Sequence, residues 1–283
     1  MKLEKSARAK INLFLDVGDK REDGFHEIVS VMQSVTLSDT VSLTTGGADG
    51  GVSVVCDHPG LSGRDNLVYT AAESFFSATG IPPRGVRFEI EKRIPVAAGL
   101  AGGSTDAASA LLMLNEAYGY PLDEDQIKRV GANLGSDVPF CMMGGTCLAR
   151  GRGEKLAPVN SKCRFNILIV YGGKGVSTRE AYGALDDAGE REHRSPDRLL
   201  TSLVSGDADG AAEELFNSFE SVIIGTHPEA TEARRIMKEN GGDPLLCGSG
   251  PSVFAVYSDL SSRSRAAELL RTKGYRVFEC ETE

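Results

Sequence analysis

Apolar and polar residues alternate along several short segments in the first half of the chain. The alternation is clear in ARAKINLFLDV, GVSVVC and GVRFEIEKRI, and it extends over HEIVSVMQSVTLSDTVSLTT, which is long enough for one or two strands. A period of two places successive side chains on opposite faces, so each segment predicts a strand. The Asp23-Gly24 pair predicts a turn between the first strand and the next.

Segments with a helical spacing of apolar residues separate these strands and fill much of the second half. The segment DNLVYTAAESFFSATG has an acidic start and a glycine stop, both typical of a helix. Further helices are predicted from about Ser104 to Tyr118, and in PLDEDQIKRVGANLG, SPDRLLTSLVSG, DADGAAEELFNSFESVI and SRSRAAELLRTKG. Strands are predicted in FNILIVY and YRVFEC, and DVPFCMMGGTCLARGRGEKLAPV is predicted to break into short strands.

The order of these elements predicts the α+β class, because strands and helices mix without a steady strand–helix alternation. A length of 283 residues favours two domains over one. The segment APVNSKCR is a plausible boundary between them. We therefore expect an N-terminal domain over residues 1–157 and a C-terminal domain over residues 158–283.

Charge and composition argue against several classes of protein. The formal net charge of −9 disfavours nonspecific binding of nucleic acid, since that binding needs a basic face. No apolar run approaches the roughly 20 residues that span a bilayer, and the first 20 residues lack the features of a signal peptide. The six cysteines show no C-x-x-C spacing. We therefore expect reduced thiols, no zinc site, no membrane partner, no obligate protein partner and a cytoplasmic location.

Glycines and alanines crowd together in IPVAAGLAGGSTDAASALLML, residues 94 to 114, directly before a predicted helix. Glycine lets a ligand approach the backbone, and a helix N-terminus offers unpaired N–H donors with a partial positive charge. Together these features are typical of a phosphate site, with Ser104 and Thr105 able to cap the helix. A flexible loop before a well-capped helix is the alternative, and neither G-x-x-x-x-G-K-[ST] nor G-x-G-x-x-G is present.

The pattern P-x-x-x-G-L-x-G-G-S-T-x-A-A, residues 95 to 108, resembles the phosphate loop of the GHMP kinases, which comprise galactose, homoserine, mevalonate and phosphomevalonate kinases. ARAKINLFLDVGDKREDGFHEI, LGSDVPF and CGSGPSVFAVY are similar, in the same order, to the branch of this family that acts in isoprenoid precursor synthesis. The matches run from residue 8 to 257 and are weakest between about 183 and 213. Ala97, Ala98 and Ala101 stand where many relatives carry glycine. Alanine would be strained at any of these places that demands a positive φ, but we expect little effect because the N–H donors are kept.

The resemblance implies a two-domain GHMP kinase fold, with an N-terminal ATP-binding domain and an active site in the cleft between the domains. It implies ATP as the phosphoryl donor, Mg²⁺ carried with ATP, and a cytidine-diphosphate-linked sugar alcohol as the acceptor, phosphorylated on its 2-hydroxyl. Ser104 is the best candidate for a protein ligand of Mg²⁺, and Gly248, Ser249 and Gly250 are expected to form a turn against the phosphate loop. The expected ATP site comprises Pro95, Val96, Ala97, Ala98, Gly99, Leu100, Ala101, Gly102, Gly103, Ser104 and Thr105, with Asn66 and Leu67 as weaker candidates for the adenine pocket.

Three polar residues are candidates for the chemistry. Asp137 in GSDVPF is the candidate general base, and a capping or turn aspartate is the alternative. Lys10 and Asn12 are two apart on a predicted strand, so both point to one face; a solvent-facing strand edge is the alternative. The resemblance puts Lys10 beside Asp137, where its charge would keep the carboxylate ionised and help to polarise the attacking hydroxyl. It gives Asn12 the task of positioning the substrate alcohol or its diphosphate.

The DGFH segment distinguishes this branch from other GHMP kinases. Phe25 has a flat face that can stack on a pyrimidine, and His26 can donate to and accept from the edge of cytosine; a core phenylalanine and a surface histidine are the alternatives. The resemblance also assigns Tyr182 to the other face of the base and Thr178 to a polar contact nearby. Lys92 is expected to contact a nucleotide, and a solvated lysine at a strand end is its alternative.

Two other functions remain possible from the sequence. One is another GHMP small-molecule kinase of the mevalonate or homoserine type, against which the DGFH segment counts. The other is a catalytically silent nucleotide-binding protein, against which Lys10 and Asp137 count, because a protein that only binds nucleotide needs neither residue.

Overall fold

The computed structural model describes residues 1–47, 50–171, 173, 175, 177–189 and 191–283. The strands are β1 (Lys2–Lys20), β2 (His26–Thr44), β3 (Val52–Cys56), β4 (Val86–Glu91), β5 (Thr146–Gly151), β6 (Lys155–Pro158), β7 (Asn166–Tyr171), β8 (Phe216–Asn217), β9 (Asp243–Leu246), β10 (Val253–Tyr257) and β11 (Arg276–Glu281). The helices are α1 (Leu67–Thr79), α2 (Gly102–Ala117), α3 (Glu124–Leu134), α4 (Val138–Met143), α5 (Thr178–Asp187), α6 (Asp197–Ser205), α7 (Ala208–Glu213), α8 (Glu220–Ile223), α9 (Pro228–Glu239) and α10 (Leu260–Thr272), with a 3-10 turn at Ile224–Thr226.

The chain forms two compact units, each made of separate segments. The first comprises Met1–Ala9, Ser38–Ile94 and Ala101–Gly144, and the second comprises Lys10–Leu37, Pro95–Leu100 and Gly145–Glu283. The long strands β1 and β2 each contribute residues to both units. The linear division at residues 157 and 158 stays a prediction.

In the first unit, β4 lies between β3 and the end of β2. It pairs in parallel with β3, where Val54 is opposite Phe88, and antiparallel with β2, where Val41 is opposite Ile90. The alternation of β4 buries Val86, Phe88 and Ile90 and exposes the residues between them. These side chains join the apolar faces of α1 and α2 in one hydrophobic core, which is the burial expected when a sheet with one apolar face meets amphipathic helices.

Asn66 and Gly80 define the two ends of α1: the predicted glycine stop is confirmed, whereas the first turn of the helix carries no acidic residue. The side chain of Asn66 accepts a hydrogen bond from the backbone N–H of Val68, and Gly80 ends the helix in the left-handed region with φ 68°. Glycine carries no Cβ penalty in this conformation, which is common just after a helix. The apolar face of α1 therefore has a fixed length and register against the core.

In the second unit, a four-stranded antiparallel sheet has the order β11–β7–β10–β9. One row across it brings Phe278, Ile169, Phe254 and Leu245 side by side. Residues of α9 and α10 join the second hydrophobic core with side chains from β7 and β10. This unit also contains the pairing of β5 with β2 and β6, and the parallel pairing of β8 with β1.

The structure corrects three predicted elements. Residues 138–143 form α4 rather than a strand, because Pro139 in the first turn fits a helix start. The single helix predicted over DADGAAEELFNSFESVI is interrupted by β8, where Phe216 and Asn217 pair with β1. The helix predicted from Ser104 begins at Gly102. The α+β class is confirmed, and within the described residues no helix is long and apolar enough to cross a membrane.

Candidate active site

Two glycine turns meet in the second unit, and only glycine fits at their point of contact. Gly99 has φ 77°, and a Cβ on it would lie 1.9 Å from the carbonyl oxygen of Cys247. Gly248 has φ 52°, and a Cβ there would lie 3.1 Å from the carbonyl oxygen of Gly99. The expected packing of the CGSGPS turn against the phosphate-loop segment is therefore confirmed at these two positions. The backbone N–H of Lys10 donates to the carbonyl of Leu100 at 3.2 Å, which ties the same segment to β1.

Asn217 braces the turn from its other side. Its Nδ2 donates to the carbonyl oxygens of Leu246 and Gly248, both at 2.8 Å, and its Oδ1 accepts from the backbone N–H of Phe219. Asn217 is buried, so each of these bonds satisfies a polar group that has lost water. No motif in the sequence indicates this role, because the partners lie about 30 positions further along the chain.

The first turn of α2 exposes backbone amides without a side-chain cap. The N-cap is Ala101, and the first intrahelical bond runs from the N–H of Thr105 to the carbonyl of Ala101 at 2.9 Å. Helix geometry leaves the amides of residues 102–104 without partners inside the helix. The prediction that Ser104 and Thr105 cap the helix is wrong, because the helix starts earlier, Ser104 is its third residue and Thr105 is buried.

Alanine occupies two positions with left-handed backbone in this segment. Ala97 has φ 52° and Ala101 has φ 57°, a conformation that costs a residue with a Cβ roughly 1–2 kcal/mol relative to the usual regions. Ala98, the third alanine that departs from the glycines of many relatives, does not share this conformation. The departure therefore places strained backbone at two of the three positions, where the sequence predicted little effect.

Lys92 belongs to a buried ion cluster in the first unit. Its Nζ contacts Oδ2 of Asp39 and lies 2.7 Å from Oδ2 of Asp106. Asp39 also accepts hydrogen bonds from the backbone N–H groups of Arg93 and Ile94 at 2.6 and 2.8 Å. A Cβ on Gly102 would lie 3.3 Å from Nζ, so the ammonium sits beside the first residue of α2. The alternative of a solvated lysine is wrong, and contact of Lys92 with a nucleotide stays a prediction.

The cluster holds two carboxylates around one ammonium. Burial raises the pKa of Asp106 to about 7, against the opposing pull of Lys92, and the neighbouring Asp39 adds to the rise. Burial lowers the pKa of Lys92, but the attraction of the two carboxylates outweighs it and the net direction is upward. Among the described residues, Oδ1 of Asp106 is buried without a hydrogen-bond partner. No hydrogen bond replaces the water that this oxygen has lost, so burial disfavours the charged carboxylate. This is the physical cause of the raised pKa of Asp106.

Lys10 and Asn12 lie on one face of β1 in the second unit, as predicted. Lys10 Nζ donates to Asn12 Oδ1 at 2.8 Å, Asn12 Nδ2 donates to Ser30 Oγ at 2.8 Å, and Ser30 Oγ donates to the carbonyl of Phe14 at 2.7 Å. Lys10 and Asn12 are 6% and 1% exposed, so a solvent-facing strand edge is excluded. A Cβ on Gly248 would lie 3.6 Å from Lys10 Nζ, which places the ammonium at the glycine turn.

Asp137 lies in the first unit, at the N-cap position of α4. Its side chain makes no capping hydrogen bond to that helix, and its backbone is in the right-handed region with φ −82°. The alternative of a capping aspartate therefore does not describe its side chain. The predicted partnership of Asp137 with Lys10 stays a prediction.

The residues predicted to hold a pyrimidine base gather at the start of β2 and on α5. The rings of His26 and Tyr182 stack with their centroids 4.8 Å apart, and Tyr182 meets Phe219 edge-on at 4.9 Å. Phe25 is exposed and carries the guanidinium of Arg152 over its ring at 4.7 Å. Thr178 Oγ1 lies 3.3 Å from Ser249 Oγ. Stacking of a base on Phe25 or Tyr182 stays a prediction.

The two candidates for the adenine pocket have structural roles in the first unit. Asn66 uses its side chain to cap α1, and its Nδ2 also donates to the carbonyl of Leu61 at 2.6 Å. Leu67 is half-buried against the hydrophobic core. Their contact with adenine stays a prediction.

Comparisons with known proteins identify the family to which this chain belongs. Residues 66–145 match the GHMP kinases N terminal domain, and residues 199–276 match the GHMP kinases C terminal domain. A 4-diphosphocytidyl-2-C-methyl-D-erythritol kinase from Desulfitobacterium hafniense strain Y51 is 39% identical over 278 residues, which are 98% of this chain and 94% of that protein. The chain belongs to the GHMP kinase family. It is therefore a small-molecule kinase, and ATP is the phosphoryl donor that the family implies.

Further relatives refine the place of this GHMP kinase. A protein of the same name from Pelotomaculum thermopropionicum is 42% identical over 269 residues, covering 94% of this chain and 93% of that protein. The crystal structure of a 4-(cytidine 5'-diphospho)-2C-methyl-D-erythritol kinase matches with a TM-score of 0.82 and 32% identity over 99% of both chains. A homoserine kinase from Cytophaga hutchinsonii matches with a TM-score of 0.76 over 100% of this chain and 94% of its own, but at 16% identity it shows the fold alone.

The GHMP kinase shows no cluster of metal-ligating side chains in the part of the chain that the structure describes. No group of three or more histidine, cysteine, aspartate or glutamate side chains could hold an ion there. Mg²⁺ commonly binds through nucleotide phosphates and only one or two protein groups, and binding of Mg²⁺ by this chain stays a prediction. Ser104 remains the candidate protein ligand.

Proposed function

We propose that this protein transfers the γ-phosphoryl group of ATP to the 2-hydroxyl of 4-diphosphocytidyl-2-C-methyl-D-erythritol, a step of isoprenoid precursor synthesis by the non-mevalonate route. The observation that carries the proposal is the joint presence of a GHMP phosphate loop and the DGFH segment in a chain whose curated relatives of that name align over nearly its whole length. The loop is general to the family, whereas the DGFH segment selects the branch.

The phosphate loop, residues 95 to 105, is the proposed site of the triphosphate. The amides of residues 102–104, which have no partners inside the helix, and the positive end of the α2 dipole would attract phosphate oxygens. The close contact of Gly99 with Cys247, and the hydrogen bond from Lys10 to Leu100, support the segment that precedes α2. Positioning and charge stabilisation supply most of the catalysis of phosphoryl transfer.

The acceptor alcohol needs a group that takes its proton. We assign that role to Asp137, with Lys10 stabilising negative charge on the attacking oxygen and Asn12 orienting the alcohol or its diphosphate. The bond from Lys10 to Asn12, and the chain through Ser30 to the carbonyl of Phe14, fix both side chains before substrate binds. Mg²⁺ bound with ATP would neutralise phosphate charge.

The cytidine end of the substrate is assigned to Phe25, His26, Tyr182 and Thr178. Phe25 is exposed, and the imidazole nitrogens of His26 are groups that can hydrogen-bond the edge of a base. This part of the proposal excludes mevalonate and homoserine as preferred substrates, because neither carries a base.

The test is release of ADP by the purified enzyme with ATP and Mg²⁺. We expect turnover with the cytidylated substrate and turnover at least about 100-fold weaker, in kcat/KM, with mevalonate and homoserine. Mass spectrometry of the product should show one added phosphoryl group. Equal turnover of the three alcohols would overturn the proposed substrate, and no turnover of any would favour a nucleotide-binding protein without catalysis.

A further inference from the structure

His26 is held in a fixed orientation by two neighbours in the second unit, Tyr182 and Asp186. It is buried at the start of β2, its ring stacks on Tyr182, and Tyr182 is itself held edge-on by Phe219. The ring atom Nε2 lies 2.8 Å from Oδ1 of Asp186, on the last turn of α5. Stacking fixes the plane of the imidazole, and the contact with Asp186 fixes its rotation within that plane.

Asp186 remains a carboxylate in this setting. The hydrogen bond from His26 is the largest cause that lowers the pKa of Asp186, and Lys20 and Arg191 add positive charge. Lys20 Nζ lies 3.7 Å from Oδ2, and Arg191 Nη2 lies 3.5 Å from Oδ1. An ionised carboxylate can only accept hydrogen bonds. The proton between the two residues therefore belongs to Nε2 of His26.

A proton on Nε2 decides the character of the other ring nitrogen. In the neutral imidazole, Nδ1 then carries a lone pair and accepts hydrogen bonds. Among the described residues, Nδ1 of His26 has no hydrogen-bond partner. It is also not one of the fully buried side-chain atoms that lack a partner, which belong to Asp106, Arg191, Ser252 and Arg263. The ring thus keeps one acceptor that can reach a ligand.

We propose that Asp186 is a specificity-determining positioning residue, which fixes the tautomer of His26 so that Nδ1 accepts a hydrogen bond from the exocyclic amino group of cytosine. Uracil carries a carbonyl oxygen at that position, which would face the lone pair of Nδ1 without a proton between them. A site built to accept from an amino group rejects an analogue that lacks it, because polar groups are left unpaired. This inference rests on the proposed function and extends it to the choice of base.

The kinetic test compares substrates that carry cytidine or uridine on the same diphosphate-linked alcohol. For the wild type we expect a preference for cytidine of about 100-fold or more in kcat/KM. Asp186→Asn offers either a donor or an acceptor to Nε2, so the preference should fall at least about tenfold, mainly through a higher KM for the cytidylated substrate. The kcat and the KM for ATP should change less than about twofold. Asp186→Glu, which keeps a carboxylate, should restore part of the preference.

Asp187→Asn is the matched control, since it changes the neighbouring exposed carboxylate on the same helix. We expect wild-type preference in this variant. A preference that survives intact in Asp186→Asn would overturn the inference. If the wild type fails to use the cytidylated substrate at all, the proposed function falls, and this outcome is distinct from a wild type that uses it without discriminating against uridine.

A direct readout of the tautomer does not depend on turnover or on any variant at Asp186. The chain has four histidines, so the imidazole ¹⁵N signals of labelled protein can be assigned by comparison with His26→Gln. When the ring is neutral, we expect the protonated nitrogen of His26 to be Nε2. Adding the cytidylated substrate should shift the Nδ1 signal in the direction of an accepted hydrogen bond. A wild-type ring with its proton on Nδ1 would contradict the inference.

Discussion

Lys10, Asn12 and Ser30 form a chain of buried hydrogen bonds that ends on the carbonyl of Phe14. Buried polar groups of this kind stabilise a single arrangement when every member has a partner. At the scale of the residue, the proposed chemistry depends on this prior ordering, because a group that is already oriented need not lose freedom when the substrate arrives. The assignment of Asp137 as the general base, by contrast, needs a kinetic test.

Asp137→Asn removes the carboxylate while keeping the size of the side chain. We expect kcat to fall by about 10²–10⁴, the usual contribution of a general base, while the KM for ATP stays within about twofold. Steady-state kinetics and ATP binding by calorimetry give both numbers. The matched control is Asp125→Asn, an exposed aspartate in the first turn of α3, which should leave kcat unchanged. A near-normal kcat in Asp137→Asn would mean that another group takes the proton.

Asp106 gives the ion cluster of Lys92 a predictable effect of pH on stability. Burial raises the pKa of Asp106 to about 7 in the folded protein, whereas an unfolded aspartate titrates near 3.9. Between these values the folded state binds more protons than the unfolded state, so this residue's contribution to stability is fully present below about pH 4 and is lost as the pH rises through about 7.

Asp106→Asn should remove that contribution to the pH dependence. The difference in Tm between the variant and the wild type should shift in favour of the variant as the pH rises from about 4 to 8. The measurement is thermal unfolding followed by circular dichroism across this range. Activity is not used, because Asp106 lies in the first turns of α2, close in sequence to the proposed phosphate site, so a change in activity would have a second cause. Tm curves that stay parallel across the range would show that Asp106 is ionised throughout.

At the scale of the element, the junction between the phosphate loop and the CGSGPS turn restricts the identity of single positions. Gly99 combines a left-handed backbone with a neighbouring carbonyl that leaves no room for a Cβ, whereas a Cβ on Gly103, within α2, would meet nothing within 4 Å. The two glycines lie close in sequence but serve different purposes. Gly99 is required by packing, and Gly103 leaves the amides of the helix start open to a ligand.

Replacing each glycine by alanine separates these purposes. Gly99→Ala should destabilise the fold by roughly 2–4 kcal/mol, from backbone strain and overpacking, measured by urea unfolding. Gly103→Ala should keep or slightly raise stability, because alanine favours the helix by up to about 1 kcal/mol, yet weaken ATP binding where the methyl group crowds the phosphates. Equal stability of Gly99→Ala and wild type would contradict the described junction, and unchanged ATP affinity in Gly103→Ala would place the phosphates away from this amide.

At the scale of the whole molecule, the sequence predicted those features that are encoded by neighbouring residues. The α+β class, the glycine end of α1, the shared face of Lys10 and Asn12, and the turn at Gly248 all follow from local spacing or from short motifs. Asn217, Asp39 and Asp186 could not be predicted, because each acts on partners far away in sequence, up to 160 positions for Asp186 and His26. The strain at Ala97 and Ala101 also required the backbone conformation, which the residue type alone does not reveal.

The central claim is that the bare amides at the start of α2 bind the phosphates of ATP. A crystal structure with a nonhydrolysable ATP analogue and Mg²⁺ tests it most directly. We expect phosphate oxygens within about 3 Å of the backbone nitrogens of residues 102–104, the distance of an N–H···O hydrogen bond. Phosphates bound elsewhere, with residues 95–105 making no contact to the nucleotide, would contradict it.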